Sequence, residues 1–283
     1  MVTPGKDNPD RWAIIAGVTE SVRPGAPGEY RLYRELAGWW PLISPPGEYA
    51  ADAAVLQRVF DAAPALVRTI LDLGSGGGHV AGYLKADAAV TLVDISADMI
   101  AASRLLNPGC EHIRADMLTV RLGRLFDAVL VHDAADYVTT QDELAMLAAT
   151  AFAHCRPGGV AVFAPDHTAD TFRPGRGGGG GSDGAGRQAS FRERTTDPDP
   201  GDEWIESAYE FTLQSADGSV RVIRETHRLG AFRQSTWMRV LTEAGFEPEP
   251  GDVAAAYAGP AAGGLRHLFV GHRSGQETVG AGG

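Results

Sequence analysis

"LDLGSGGGHVAGYL", Leu71–Leu84, decides the fold. An apolar run carries Asp72, a turn holds glycine at 74, 76, 77 and 78, and a helical stretch of small and apolar residues follows. A glycine turn between a strand and a helix is a ligand cradle. Its backbone can approach a ligand closely, and the positive end of the helix faces the same space. A phosphate, a dinucleotide and a sulfonium cofactor are all candidates for that space.

Outward from this turn the chain alternates. "TILDLG" (69–74), "AVTLVD" (89–94), "EHIRAD" (111–116), "FDAVLV" (126–131) and "GGVAVFAPD" (158–166) read as strands, with helices near 78–85, 97–105 and 141–154. Apolar runs spaced by helices predict a parallel sheet covered on both faces. Ligands of such sheets sit beyond the carboxyl ends of the strands. Upstream, 30–66 reads as a helical segment interrupted at Pro41 and at Pro45-Pro46, with a helix from about 48 to 62. Downstream, the run 176–187 ("RGGGGGSDGAGR") reads as a flexible loop. "EWIESAYEFTLQ" and "SVRVIRETHRLG" flank the hairpin turn "SADG" and belong, with "ASFRERTTD", to an antiparallel insertion. "STWMRVLTEAGF" is a helix ended by Gly245, and "RHLFVGHR" a last strand.

Composition excludes several classes. The net charge of −11 argues against a nucleic-acid partner, which needs clustered Lys and Arg. Two cysteines, Cys110 and Cys155, cannot build a disulfide framework or a cysteine-rich zinc site, and no metal is expected. The absence of a long apolar run predicts no membrane span, and the opening "MVTPGKDNPDRW" lacks a secretory apolar stretch, so a cytoplasmic location is expected.

The turn itself narrows the ligand. A Walker loop needs Lys and then Ser or Thr where His79 and Val80 stand, so that reading fails. A dinucleotide fingerprint starting at Gly74 meets His79 at its sixth position; starting at Gly76 it meets Ala81, which is permitted but leaves Gly74 unexplained. The spacing Asp72, Gly74, Gly76, Gly78 instead resembles motif I of the class I S-adenosylmethionine-dependent methyltransferases.

That resemblance extends from about 70 to 165 and implies a site. Asp94, closing the second strand, is placed for the ribose hydroxyls. Asp116 and the Met117 backbone, in "IRADM", correspond to the adenine contact, with Ile95 and Met99 sandwiching the ring. "FDAVLVHD" and "CRPGGVAVF" resemble the fourth-strand motif and the turn before the fifth. Cofactor residues are therefore expected at Tyr33, Asp72, Gly74, Ser75, Gly76, Gly78, Asp94, Ile95, Met99, Asp116, Met117 and His132, with S-adenosylhomocysteine as product.

Methyl transfer is an in-line displacement on an already activated donor, so catalysis is mostly positioning. A base is needed only where the nucleophile must lose a proton. Candidate catalytic residues are His132, Tyr137 and His167, beside Asp133, Asp136 and Asp166 at the strand ends. The aromatic candidates of the N-terminal segment are Tyr33, Trp39, Trp40 and Tyr49; the insertion offers Arg192, Arg194, Trp204, Tyr209, His227 and Arg228. A small-molecule amine acceptor is expected. The rivals are a carboxylate or hydroxyl acceptor, which predicts that Arg192 or Arg194 faces the pocket or that His132 acts as base, and a non-methylating cofactor-binding enzyme.

The expected architecture is α/β: a doubly wound, mostly parallel, seven-stranded Rossmann-like sheet with an antiparallel β insertion before the last helix. Its plan resembles the nucleotide-sugar N,N-dimethyltransferases and the glycine and sarcosine N-methyltransferases. The expected divisions are a flexible extension (1–29), a helical cap (30–66), a core (67–170 and 233–273), a glycine-rich loop with the strand insertion (171–232) and a disordered tail (274–283). Exposed strand edges of the insertion predict a homodimer.

Overall fold

The computed structural model describes residues 21–22, 29–258 and 265–275. The extension expected over 1–29 and the tail over 274–283 lie outside the described residues, except for 21–22, 29 and 274–275.

After β1 (Ser21–Val22) come three short 3-10 turns (Arg31–Tyr33, Ala37–Trp39, Pro46–Tyr49) and the helices α1 (Trp40–Ile43) and α2 (Ala50–Ala62). Pro41 lies in the first turn of α1 and does not break it, since no intrahelical N–H is lost there. The alternating region is β2 (Thr69–Leu73), α3 (Ala81–Leu84), β3 (Ala89–Asp94), α4 (Ala97–Leu106), β4 (Glu111–Arg114), β5 (Phe126–His132), α5 (Gln141–His154) and β6 (Cys155–Ala164). Then come β7 (Gly175–Ser182), β8 (Gln188–Thr196), β9 (Trp204–Gln214) and β10 (Val220–Gly230). The chain closes with α6 (Gln234–Glu243), β11 (Glu247–Pro248), α7 (Ala254–Tyr257) and β12 (Phe269–His272).

Seven strands form the central sheet in the order β11-β12-β6-β5-β2-β3-β4, with β2 to β6 parallel and β12 antiparallel to β6. Strand alternation divides its core in two. Leu71, Leu73, Val129, Val131 and Phe163 face α5 and α6; Ile70, Ala128, Leu130 and Val162 face α2 and α3. A capping box fixes the start of α5: Thr140 Oγ1 accepts from the Glu143 amide while Glu143 returns a bond to the Thr140 amide. The chain moves outward from β2 to β4 and then returns to place β5 beside β2. The crevice of such a reversal opens at the carboxyl ends of those two strands.

The other five strands make a separate sheet, in the order β1-β10-β9-β8-β7. It is larger than the three-stranded insertion that the sequence predicts. Most of the run 176–187, expected as a loop, is instead the edge strand β7, paired with β8 from Gly175↔Thr195 to Ser182↔Gln188. Composition misleads here because the ladder uses backbone alone. The missing side chains let β7 pass close over α1, where a Cβ at Gly181 would touch the Leu42 carbonyl and the Pro45 ring. The sheet's apolar inner residues, Ala189, Phe211, Leu213 and Ile223, pack on Leu32, Leu36, Leu42 and Ile43 of the N-terminal segment.

Trp237 of α6 anchors one face of the central sheet. Its ring stacks on Phe269 at 5.0 Å between centroids and is 1% exposed. Trp237→Ala is expected to lower the unfolding free energy by about 3–5 kcal/mol. Leu105→Ala, at a side chain 87% exposed, should change it by less than about 0.5 kcal/mol. Urea titrations of both variants check the contrast.

Candidate functional site

A cavity of about 1060 Å³ lies at the carboxyl ends of β2 and β5 and continues beneath the second sheet. Its floor is the glycine turn. Gly74, Gly76 and Gly78 all have positive φ (75°, 52° and 72°), a backbone region costly for residues with a Cβ. Gly74 is also where the turn meets the loop after β5, since a Cβ there would run into Ala134. Gly77, which the motif does not require, lies under the Trp40 ring, and a Cβ would collide with it.

Asp94 clamps this turn. Its Oδ2 accepts from the Gly76 amide and its Oδ1 from the Ser96 amide, both at 2.8 Å. Burial raises its pKa, against the pull of those two hydrogen bonds. Each oxygen keeps a lone pair, and the residue lines the cavity. Ser96 caps α4 by accepting from the Met99 amide at 3.1 Å, and its hydroxyl also donates to the Tyr33 carbonyl. One short segment thus fixes the turn, the helix and the N-terminal segment together.

Asp116 accepts from the Leu118 amide at 2.8 Å and lines the cavity with Met117 and Ile95. Ile95 is 45% exposed, an apolar face open for a flat ring. Ser75 Oγ and His79 Nδ1 are buried without a hydrogen-bond partner among the described residues. Burial lowers the His79 pKa to about 4, so its ring is neutral and adds no charge to the turn. These orphaned polar atoms, the two acids and the apolar Ile95 fit a ligand with polar and aromatic parts, as S-adenosylmethionine has.

The structure brings most of the expected residues to this cavity, but not all. Tyr33, Trp40, Tyr49, Asp72, Gly74, Ser75, Gly76, His132, Asp133, Asp136, Tyr137, Asp166 and His167 line it. Gly78 and Met99 do not. A Cβ at Gly78 would strike Ser103 and Asn107 of the α4 end, and Met99 is fully buried beneath the turn. Trp39 faces outward, under the Arg187 guanidinium at 4.2 Å.

The three catalytic candidates have different surroundings. His132 is bracketed by Asp52 at 3.1 Å on Nε2 and Asp133 at 3.2 Å on Nδ1. Burial pulls its pKa down, but Asp133 and Asp52 outweigh this and push it up to about 9. Both of its nitrogens are engaged, and burial pushes Asp133 itself up to about 8, against the charge of His132. Asp133 holds its place at a strained φ of 47°. Asp72, on the same sheet face, is pushed up to about 7 by burial, against the charge of His132.

His167 is arranged otherwise. Its Nδ1 lies 3.0 Å from Asp136 Oδ2, a buried carboxylate that also accepts from the Asp166 amide. Burial lowers the His167 pKa, but the hydrogen bond and charge of Asp136 prevail and raise it. No partner among the described residues reaches its Nε2. Tyr137 has a fully used hydroxyl, 2.5 Å from Tyr33 Oη and 2.8 Å from His227 Nδ1. His227 Nε2 meets Glu225 at 2.9 Å, and Glu225 accepts the amides of Arg31 and Leu32. Burial holds the Tyr137 phenol well above its usual pKa, so it stays neutral.

The insertion presents a face that sequence reasoning missed. Phe191, Glu193 and Thr195 of β8, with Tyr209 and Phe211 of β9, line the cavity. Arg192 and Arg194, one position out of step, point to the opposite face, where Arg192 and Arg224 flank Glu210 at 3.9 Å and 2.5 Å. Trp204 and Arg228 stack on each other at 3.7 Å away from the cavity. The signal for the inward register was Phe191, whose parity with Thr195 marks the buried face.

The chain resembles known proteins. Residues 70–159 match a methyltransferase domain family. Over 204 residues the chain is 26% identical to a dTDP-3-amino-3,4,6-trideoxy-α-D-glucopyranose N,N-dimethyltransferase of Streptomyces venezuelae, covering 71% of this chain and 85% of that one. The sugar N-methyltransferase KedS8 from a Streptoalloteichus species superposes with a TM-score of 0.71 at 25% identity, covering 93% of this chain and 100% of that one. CalS10, an amino pentose methyltransferase from Micromonospora echinaspora solved with its cofactor bound, superposes with a TM-score of 0.64 at 26% identity, covering 78% and 90%. The chain is an S-adenosylmethionine-dependent methyltransferase, with its methyltransferase domain over residues 70–159, and it resembles the small-molecule N-methyltransferases.

Proposed function

We propose that this enzyme methylates an amine on a small molecule, with an amino sugar as the leading acceptor class. The observation that carries the reading is the register of β8. A carboxylate or hydroxyl acceptor predicts that Arg192 or Arg194 faces the pocket, whereas Glu193 faces it and those two arginines face away. Asp133, Asp136 and Asp166 add carboxylates to the same space. Exposed arginines at the rim, Arg173, Arg176 and Arg266, suit an anionic handle such as the diphosphate of the acceptor in the relative's name.

In this reading Asp94 holds the ribose hydroxyls with the lone pair left on each oxygen. Asp116, Met117 and Ile95 take the adenine, and the turn from Gly74 to Gly76 takes the methionine end, with Asp72, Tyr33 and His132 around it. Gly78 and Met99 support the turn from beneath. When bound, the cofactor would supply a methyl group on a positive sulfur, and the acceptor nitrogen gives up one proton in the exchange. His167 takes that proton, because Asp136 orients its ring and leaves Nε2 unpaired. His132, already protonated, walls the methionine end and does not serve as base. Tyr137 positions Tyr33 through their shared hydrogen bond.

The same proposal covers the setting: a cytoplasmic enzyme with no nucleic-acid partner, given the net charge of −11, and a homodimer through the open edge of β7. Its internal divisions follow as a helical cap over 30–66, a core of 67–170 and 233–273, and a second sheet over 171–232. Light scattering that finds a monomer at working concentration would refute the dimer.

Asp94→Ala is expected to weaken S-adenosylmethionine binding by about 1–3 kcal/mol, read by calorimetry. For His167 the sign is set by its role. The neutral ring is the active form and its pKa is raised above 6.5, so kcat/KM should climb as pH rises through a value above 6.5. His167→Gln should abolish that limb and lower kcat by roughly 100-fold, while His132→Gln should leave the limb in place. A pH–rate series on the three proteins decides between them.

A further inference from the structure

The second sheet holds a carboxylate with one committed and one idle oxygen. Glu193 Oε1 accepts from Ser207 Oγ at 2.8 Å and Tyr209 Oη at 2.8 Å, and Thr195 Oγ1 donates in turn to Ser207 Oγ at 2.8 Å. No hydrogen bond among the described residues reaches Oε2, and no arginine or lysine among them pairs with the residue. Two hydroxyls on one oxygen, the first braced by Thr195, fix the plane and direction of the group. The other oxygen is left aimed.

Its aim follows from the cross-strand rows. Gly177 pairs with Glu193, Glu193 with Tyr209, and Tyr209 with Glu225, so these four positions share the inner face. The two carboxylates differ in what they face. Glu225 is buried and spends its oxygens on two backbone amides and His227. Glu193 borders the cavity, and the position beside it has no side chain. A Cβ at Gly177 would stand 3.1 Å from Glu193 Oε2, in the space that oxygen faces.

We propose that Glu193 is the acceptor-recognition residue, binding the protonated amine of the substrate through Oε2, and that Gly177 keeps room for it. This rests on the amine reading above and sharpens it. A carboxylate held by two hydroxyls on one oxygen and open at the other is complementary to an ammonium, which brings N–H donors and the opposite charge. A neutral hydroxyl supplies only one of these. An amine keeps a proton to donate after each methylation, so the contact serves repeated transfers. The acceptor then reaches the cavity as a cation, gives up one proton to the neutral His167 ring before its lone pair attacks, and stays as the methylated ammonium.

The test is steady-state kinetics on the purified full chain with dTDP-3-amino-3,4,6-trideoxy-α-D-glucopyranose, following S-adenosylhomocysteine release. Glu193→Gln should raise KM for this amine roughly 10- to 100-fold, with kcat within about threefold and S-adenosylmethionine affinity unchanged. Gly177→Ala keeps the carboxylate but fills the space before it and should also raise KM. A purely structural role for Glu193 predicts loss of thermal stability and of kcat with KM unmoved, which would overturn the assignment. So would wild-type KM in both variants. A wild-type enzyme that methylates a matched hydroxyl sugar and no amine removes the amine reading itself, and with it this role; wild-type turnover of the amine leaves that reading standing even where both variants fail to shift KM.

Discussion

Two backbone amides on one carboxylate hold the cofactor half of this enzyme together. Asp94 receives Gly76 from the glycine turn and Ser96 from the start of α4. Without that pair, a turn of glycines would lose more entropy on ordering than any other composition. With it, three glycines sit at positive φ as a rigid floor. Ser96 passes the constraint on, because its hydroxyl bonds the Tyr33 carbonyl and so ties the N-terminal segment to the same spot. The segment in turn seats the second sheet through Leu32, Leu36, Leu42 and Ile43. The acceptor wall is thus referenced to the cofactor floor by a short chain of contacts.

The cavity separates its charges by placement. At the α2 side, His132 sits between Asp52 and Asp133 and lies against a carboxylate cluster that includes Asp72. On the other side, Asp136 steers His167 and leaves one nitrogen unpaired. Both are histidines with a carboxylate partner, but the number of partners differs. Two carboxylates engage both nitrogens of His132, and one leaves a nitrogen of His167 without a partner among the described residues. That difference ranks the candidates where titration range alone could not.

The cofactor half was legible in the sequence because its chemistry is local. Asp72, the glycine spacing, Asp94 and Asp116 each stand at a strand end, where chain order and spatial order agree. The acceptor half was not, because its pairs join distant residues. Asp52 meets His132 across 80 positions, and Tyr137 meets His227 across 90. β8 carries polar residues on both faces, so alternation gave the pairing of Arg192 with Arg194 but not the side they take. β7 was misjudged for a related reason: a strand without side chains has no pattern to read, and only its partner's ladder makes it a strand.

That glycine strand gives the pocket an uncommon kind of wall. Elsewhere a substitution trades one side-chain shape for another, and cavities both shrink and grow by mutation. Along the cavity-lining positions of β7, Gly175 and Gly177 already present the smallest surface a chain can offer. Every substitution there adds volume on one side of the acceptor, in steps as small as a methyl group. Selection on these positions acts as a one-way dial on acceptor size, set at present to its widest reading.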